Sequence, residues 1–245
     1  MVDEALARSF EVIGADYDRY RPGFPADAAD LLIPERVDTA LDLGAGTGKF
    51  TRLLLDRAET VIAVEPSEAM LDVLRANLPA VSARAGNAEA IPCPATSVDV
   101  VTVAQAFHWF DREPACAEIA RVLRPGGILG LLWNHSDPEC AWDRAAHRIA
   151  HPAVAEQDGT SASAVEELPG FAFVRRAEIR TVETITRADY LSRWGTVSTF
   201  LVASDDRRAQ MRSSIESVLD ADPTTRGQET LDLPVVTDVF VYARV

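Results

Sequence analysis

Three glycines at alternate positions, Gly44, Gly46 and Gly48, follow directly on Ala40-Leu-Asp-Leu. That spacing lets the backbone turn sharply and lets a ligand come close to the main chain. Asp42 stands just before them, and a carboxylate there repels a phosphate but suits a cationic group or a set of amides. Glu65 follows Gly44 by 21 residues, a placement that suits an acid accepting hydrogen bonds from two ribose hydroxyls. Pro66-Ser67 then opens a helix whose Met70 can pack on a flat base or simply into the core. Asn87, in Gly86-Asn-Ala-Glu, both donates and accepts, which fits the edge of an adenine or an ordinary turn. His108 is the candidate general base, with a packed loop histidine as the alternative. Trp109, Asn134, His135 and Trp194 are candidate contacts for a second small ligand. Ordinary packing is the competing role for the two tryptophans.

Two familiar phosphate patterns fail. A dinucleotide fingerprint reads Gly-x-Gly-x-x-Gly with a pyrophosphate at the helix N-terminus, whereas here the third Gly comes one residue early and Asp42 has the wrong sign. A P-loop requires Gly-x-x-x-x-Gly-Lys-Ser/Thr, which the three glycines do not fit. His147 and His151 are four apart with Cys140 nearby, but no further ligand or acid partner accompanies them, so no metal is expected. Cys93, Cys116 and Cys140 match no zinc spacing and read as reduced thiols.

The elements that must hold these residues alternate in the first half. Val37–Leu43, Thr60–Glu65, Val81–Ala85, Val98–Ala104 and Ile128–Trp133 read as strands. Lys49–Arg57, Ser67–Leu78 (capped by Ser67) and Asp111–Leu123 read as helices, and Arg124-Pro-Gly-Gly as a turn. Near-continuous apolar strands separated by helices predict a doubly wound α/β fold, with its ligand at the carboxyl ends of the first strands. In the second half Glu139–Ala150 reads as a helix, His151–Gly170 as a loop and Arg175–Thr186 as a strand. Thr186-x-x-Asp189 is a capping box opening a helix to about Ala203. Met211, Ile215, Val218 and Leu219 form an apolar stripe, and Val235–Val245 is a terminal strand.

The chain has 245 residues, 47% of them hydrophobic and 25% charged, which allows a sizeable core and excludes a wholly disordered chain. Its 24 basic and 38 acidic residues give a formal charge of −14. That balance argues against nucleic acid or an anionic membrane as a partner, unless a local cluster such as Arg175-Arg176 intervenes. No apolar run nears the roughly 20 residues of a membrane helix. Met1-Val-Asp-Glu lacks the basic start of a signal peptide, so a soluble cytoplasmic protein is expected. Lys49 is the single lysine, and a G+C-rich codon supply is its simplest explanation.

Several ordered segments resemble the class I S-adenosylmethionine-dependent methyltransferases of the type 11 group. They are Leu41-Asp-Leu-Gly-Ala-Gly-Thr-Gly, Val64-Glu-Pro-Ser with Met70-Leu71, Gly86-Asn-Ala-Glu, Gln105-Ala-Phe-His-Trp-Phe and Val122-Leu-Arg-Pro-Gly-Gly. Tyr17-x-x-Tyr20-Arg-Pro-Gly-Phe-Pro25 resembles the N-terminal segment of bacterial members. The resemblance implies a Rossmann-like, seven-stranded, mostly parallel sheet with an antiparallel last strand. It also implies methyl transfer from S-adenosylmethionine to a small-molecule acceptor at O, N or C. By the same resemblance Gly44, Ala45, Gly46 and Thr47 hold the methionine part and Asp42 its amino group. Glu65 holds the ribose, Asn87 with the Ala88–Glu89 backbone the adenine, Arg21 the methionine carboxylate, and Tyr17 closes over the methyl donor; Pro66, Met70 and Gln105 complete the expected cofactor set. A single domain is expected, with residues 1–36 as flap and first helix and 37–134 as cofactor core. Residues 135–220 would be a helical insertion carrying the sixth strand and capping the substrate, and 235–245 the terminal strand. The competing readings are a nicotinamide-dependent oxidoreductase, disfavoured by the glycine spacing and Asp42, and a non-catalytic S-adenosylmethionine-binding protein.

Overall fold

Apolar runs with no polar face pair side by side, because only a central position buries both of their faces. In the computed structural model, which describes residues 18–151 and 167–245, β1 (Val37–Leu43) runs parallel to β2 (Ala58–Glu65) on one side. On its other side it runs parallel to β4 (Val98–Ala104). β2 pairs with the short β3 (Ser82–Ala85), and β4 with β5 (Leu123–Ser136), both in parallel. With β6 (Phe171–Thr186) and β7 (Thr230–Arg244) the sheet order is β3-β2-β1-β4-β5-β7-β6, and the last strand runs antiparallel. This is the expected Rossmann-like α/β sheet. Strand order reverses at β1 and β4, so the crevice outside their carboxyl ends is where such a sheet takes a ligand.

The helices of the first half are α1 (Ala26–Leu32), α2 (Thr51–Leu54), α3 (Glu68–Asn77) and α4 (Arg112–Val122). Those of the second are α5 (Ala141–Ala150), α6 (Arg187–Arg193), α7 (Ser198–Leu201) and α8 (Asp205–Ala221). The Ser67 hydroxyl accepts from Met70 N at the start of α3, and Thr186 accepts from Asp189 N at the start of α6, both as expected.

The chain divides into two units. The larger holds Gly23–Asn134, Thr160–Ile179 and Thr237–Val245. Its strands alternate between two apolar clusters. Leu41, Val101, Leu131 and Phe240 enter one, while Ala40, Val100, Leu132 and Val239 enter the other. That period of two is the signature of a sheet covered on both faces. The smaller unit holds Met1–Pro22, His135–Gly159 and Arg180–Val236. Its core gathers Trp142, Tyr190, Trp194 and the Met211, Ile215, Leu219 stripe.

Several boundaries differ from the sequence reading. Arg124-Pro-Gly-Gly is not a turn between elements. It bulges within β5, where the register passes from Val98↔Leu123 to Val100↔Ile128. The helix expected from Lys49 shortens to Thr51–Leu54. The helix expected to run to Ala203 stops at Arg193, and a tight turn, Trp194–Thr196, separates it from α7. Gly195 in that turn weakens helix continuation. The strand expected at Arg175 begins at Phe171. It lies at the sheet edge and leaves Phe173, Val174 and Val182 exposed. Residues 152–166 of the expected loop lie outside the described residues.

Candidate active site at the glycine loop

The ends of β1 and β2 build the loop. Gly44 N and Ala45 N both donate to Val64 O, at 2.8 and 3.1 Å, so the loop leaves β1 still tied to its neighbour. Gly44, Gly46 and Gly48 all adopt positive φ, at 69°, 56° and 89°. At Gly44 a Cβ would stand 2.6 Å from Ala106 Cβ, and at Gly48 2.8 Å from Leu78 Cδ1, so packing enforces glycine there too. Gly46 differs. A Cβ would meet only Met70 Sδ, at 3.8 Å, so close packing does not demand glycine, and a side chain would instead fill the space above Met70.

Two acids lie beneath this loop. Asp42 is 1% exposed, and its two carboxylate oxygens accept from Thr51 Oγ1 at 2.6 Å and Thr102 Oγ1 at 2.9 Å. Thr102 reaches it because the parallel register sets Asp42 opposite Thr102 on β4. Burial pushes the Asp42 carboxyl up to about 6, against the pull of those hydroxyls. Glu65, also buried, accepts from Gly46 N at 2.9 Å through Oε2 and from Ser67 N at 3.0 Å through Oε1. Burial raises its pKa most, and the charge of Asp42 raises it further. A carboxylate offers about four lone-pair sites, so Glu65 retains capacity for a diol after these two bonds.

Around these acids the other candidates take distinct places. Met70 is buried, under Gly46. Pro66 is exposed beside the cap of α3. Asn87 forms a lone bridge with Ala90, and Ala88 is buried. Glu89 Oε1 accepts from Asp111 N at 2.8 Å, tying this loop to the entry of α4. The same loop is braced by Glu118, which accepts from Ile91 N, and by Arg121, which donates to Ile91 O and Cys93 O.

Beyond β4, Gln105 adopts φ 58°, a left-handed conformation that costs a non-glycine residue about 1 kcal/mol or more. Its backbone N donates to Leu132 O at 2.9 Å and its Nε2 to Asn134 O at 2.8 Å. His108 sits in the tight turn Phe107–Trp109, its ring 4.9 Å from that of Trp109. Its side chain is exposed at the surface, yet the protein packed around it displaces enough water to hold its pKa below the usual histidine value. Asn134 donates from Nδ2 to Gly23 O at 2.8 Å and accepts from Thr237 Oγ1 at 2.6 Å, so both ends of its amide brace the larger unit.

The remaining candidates belong elsewhere. Arg21, His135 and Trp194 are in the smaller unit. Arg21 Nη2 donates to Thr196 O at 3.1 Å, and His135 Nδ1 lies 3.1 Å from Ser136 O. Trp194 is 1% exposed within the apolar core. Tyr17 lies outside the described residues. All three cysteines are free and buried. Among the described residues no cluster of His, Cys, Asp or Glu could hold a metal ion. No described helix is long and apolar enough to cross a membrane. Sequence reasoning overlooked Thr51 and Thr102. The signal for Thr102 was a lone hydroxyl in the valine-rich run of residues 100–104.

Residues 41–131 match the family model of a methyltransferase domain. An uncharacterised methyltransferase of Mycobacterium tuberculosis is 39% identical over 233 residues, covering 95% of this chain and 94% of its own length. An uncharacterised methyltransferase of Schizosaccharomyces pombe is 29% identical over 247 residues, 98% of each chain. Among solved structures, a protein of Anaeromyxobacter dehalogenans described as a type II methyltransferase shares 26% identity over 92% of this chain and 97% of its own, with a TM-score of 0.65.

Proposed function

The chain belongs to the methyltransferase family, and from that premise we propose that it carries the methyl group of S-adenosylmethionine to an oxygen, nitrogen or carbon atom of a small molecule. The observation that supports this most is the pair of buried acids, Asp42 and Glu65, on adjacent parallel strands below one glycine loop. Each is hard to ionise there, and one raises the pKa of the other. A cationic ligand relieves that cost, whereas a pyrophosphate would add to it. When bound, the cofactor supplies a methyl group on a sulfonium, already activated for in-line displacement.

The chain's own residues then bind, orient and exclude water. Glu65 has lone pairs to spare for a ribose diol. The backbone of Gly44, Ala45, Gly46 and Thr47 passes along the methionine part, with the charge of Asp42 behind it. Met70, on the helix that Pro66 and Ser67 open, would pack on the base, and Asn87, Ala88 and Glu89 would offer polar groups to its edge. Gln105, held in its strained conformation, fixes the turn that carries His108. Burial lowers the His108 pKa and so favours the neutral imidazole, the form able to take a proton from an acceptor that must lose one. An acceptor that carries no such proton needs only alignment. We assign choice of the acceptor to the helical second half, residues 135–220.

Titration calorimetry of the full chain tests the cofactor. S-adenosylhomocysteine should bind and NADH should not, and the opposite pattern would end this reading. Transfer of labelled methyl to a metabolite library then identifies the acceptor. With that acceptor, His108→Ala should lower kcat about 100-fold while S-adenosylhomocysteine affinity holds. Unchanged turnover removes His108 as the base.

A further inference from the structure

The smaller unit buries an arginine that no acceptor or acid answers among the described residues. Arg193, the last residue of α6, is 8% exposed. Among the described residues no group accepts a hydrogen bond from its guanidinium or pairs with its charge, and Nη1 is shut off from solvent. Arginine at that depth is nearly always paired. Its central carbon lies 5.4 Å from the ring centroid of Tyr190 and 5.3 Å from that of Trp194. These rings attract the cation from their faces, but they offer no acceptor to the in-plane N–H fork. The next residue, Trp194, carries a second buried donor in the same state, its indole Nε1–H.

The surroundings hold this pair in place without satisfying it. The Thr196 hydroxyl donates to Arg193 O at 2.7 Å, fixing the turn, and Arg21 Nη2 donates to Thr196 O at 3.1 Å, bringing a second positive charge to it. The buried acid nearby, Asp143, accepts from the Tyr190 hydroxyl at 2.7 Å and forms no ion pair with Arg193. Gly195, at the middle of the turn, is exposed, with open space where a Cβ would stand.

We propose that Arg193 and Trp194 form a binding site in the smaller unit for the carboxylate of a small organic acid. The planar fork presents parallel N–H groups matched to the two oxygens of a carboxylate. The indole N–H supplies a third donor, and the rings of Tyr190 and Trp194 flank the apolar body of the acid. An organic acid has an apolar body to set against these rings, which inorganic phosphate lacks. The acid has two possible sources, the methyl acceptor itself or a separate metabolite. The site does not require the methyl-transfer reading.

Titration calorimetry on the full chain tests this with acetate, succinate, benzoate and phenylacetate, their primary amides, and inorganic phosphate. At least one acid should bind and its amide should not. Arg193→Gln should weaken that acid about tenfold to a hundredfold, and Trp194→Phe about threefold to tenfold. Arg193→Lys should keep part of the affinity. S-adenosylhomocysteine affinity should be unchanged in each variant, showing that the fold persists. If Arg193→Gln fails to fold, Arg193→Lys and Trp194→Phe carry the same comparison. The proposal is overturned if no acid binds, if acids and amides bind alike, if phosphate binds in their place, or if all the variants match the wild type. A binding acid that gains labelled methyl is the acceptor, one that does not is a separate ligand, and either supports the site. An acid that binds where S-adenosylhomocysteine does not leaves this site standing and removes only the methyl-transfer reading.

Discussion

Asp42 in the larger unit and Asp143 in the smaller are equally hidden, each 1% exposed, and each is held by hydroxyl groups of a different kind. Asp42 takes one hydroxyl from Thr51, at the start of helix α2, and one from Thr102, on strand β4. Its pKa is pushed up to about 6, so it titrates close to physiological pH. Asp143 takes the phenol of Tyr190, whose own ionisation is pushed far above the usual range by burial and then by the charge of Asp143. The difference teaches what a buried acid is for. One lies beneath the glycine loop and can still change charge near neutral pH, and the other is tied to a phenol within an apolar core.

Gly44→Ala should disturb the larger unit most. It combines a positive φ with a Cβ driven to 2.6 Å from Ala106, so we expect a loss of about 3 kcal/mol in urea melts and no measurable S-adenosylhomocysteine binding. Asp42→Asn should come next. With the folded pKa near 6 and the ordinary value at 3.8, the folded protein holds more protons than the unfolded chain between these limits. Wild-type stability therefore falls as pH rises through that window and stays lower above it, by about 3 kcal/mol. The Asn variant should lose this slope when melts at pH 4.5 and 7.5 are compared. Wild-type affinity for S-adenosylhomocysteine should conversely weaken below about pH 6, where Asp42 is neutral. An affinity flat across that range would erase the contrast between the two acids.

Tyr190→Phe addresses the smaller unit. It strips Asp143 of its phenol donor and should cost about 2 kcal/mol. Cofactor affinity should be untouched, and a loss of binding would show that this acid is not a packing residue alone. Thr102→Val should have the smallest effect, about 1 kcal/mol, with the Asp42 titration moving upward because one stabilising hydroxyl is gone. A carboxyl-sensitive difference spectrum against pH would report that shift.

The parts of the fold written in local pattern were legible before any coordinates. β1 and β4 form over the very residues their apolar runs marked, and Ser67 and Thr186 cap the helices they were assigned. The glycine loop was legible for the same reason, since a turn demanding positive φ restricts residue type on the spot. Partners set by register were not. Nothing in spacing reveals that Thr102 lies opposite Asp42, because parallel pairing joins strands across a crossover. Arg124-Pro-Gly-Gly carried every mark of a turn, yet β5 continues through it, since neighbouring strands hold both flanks. Arg193 was one arginine among many. Only burial without a partner distinguishes it.

The two margins of the sheet carry a last consequence. β3 ends one side after four residues, too short to recruit another chain, whereas β6 ends the other with sixteen. A long margin that no described strand pairs, bearing exposed Phe173, Val174 and Val182, is a template for strand addition and hence for aggregation. Arg175, Arg176 and Arg180 interrupt it, with Arg175 Nη2 donating to Leu31 O and Arg176 pairing with Asp238. In a chain as acidic as this one, those cations are the colloidal guard of one strand. Neutralising them should make the protein associate while it is still folded.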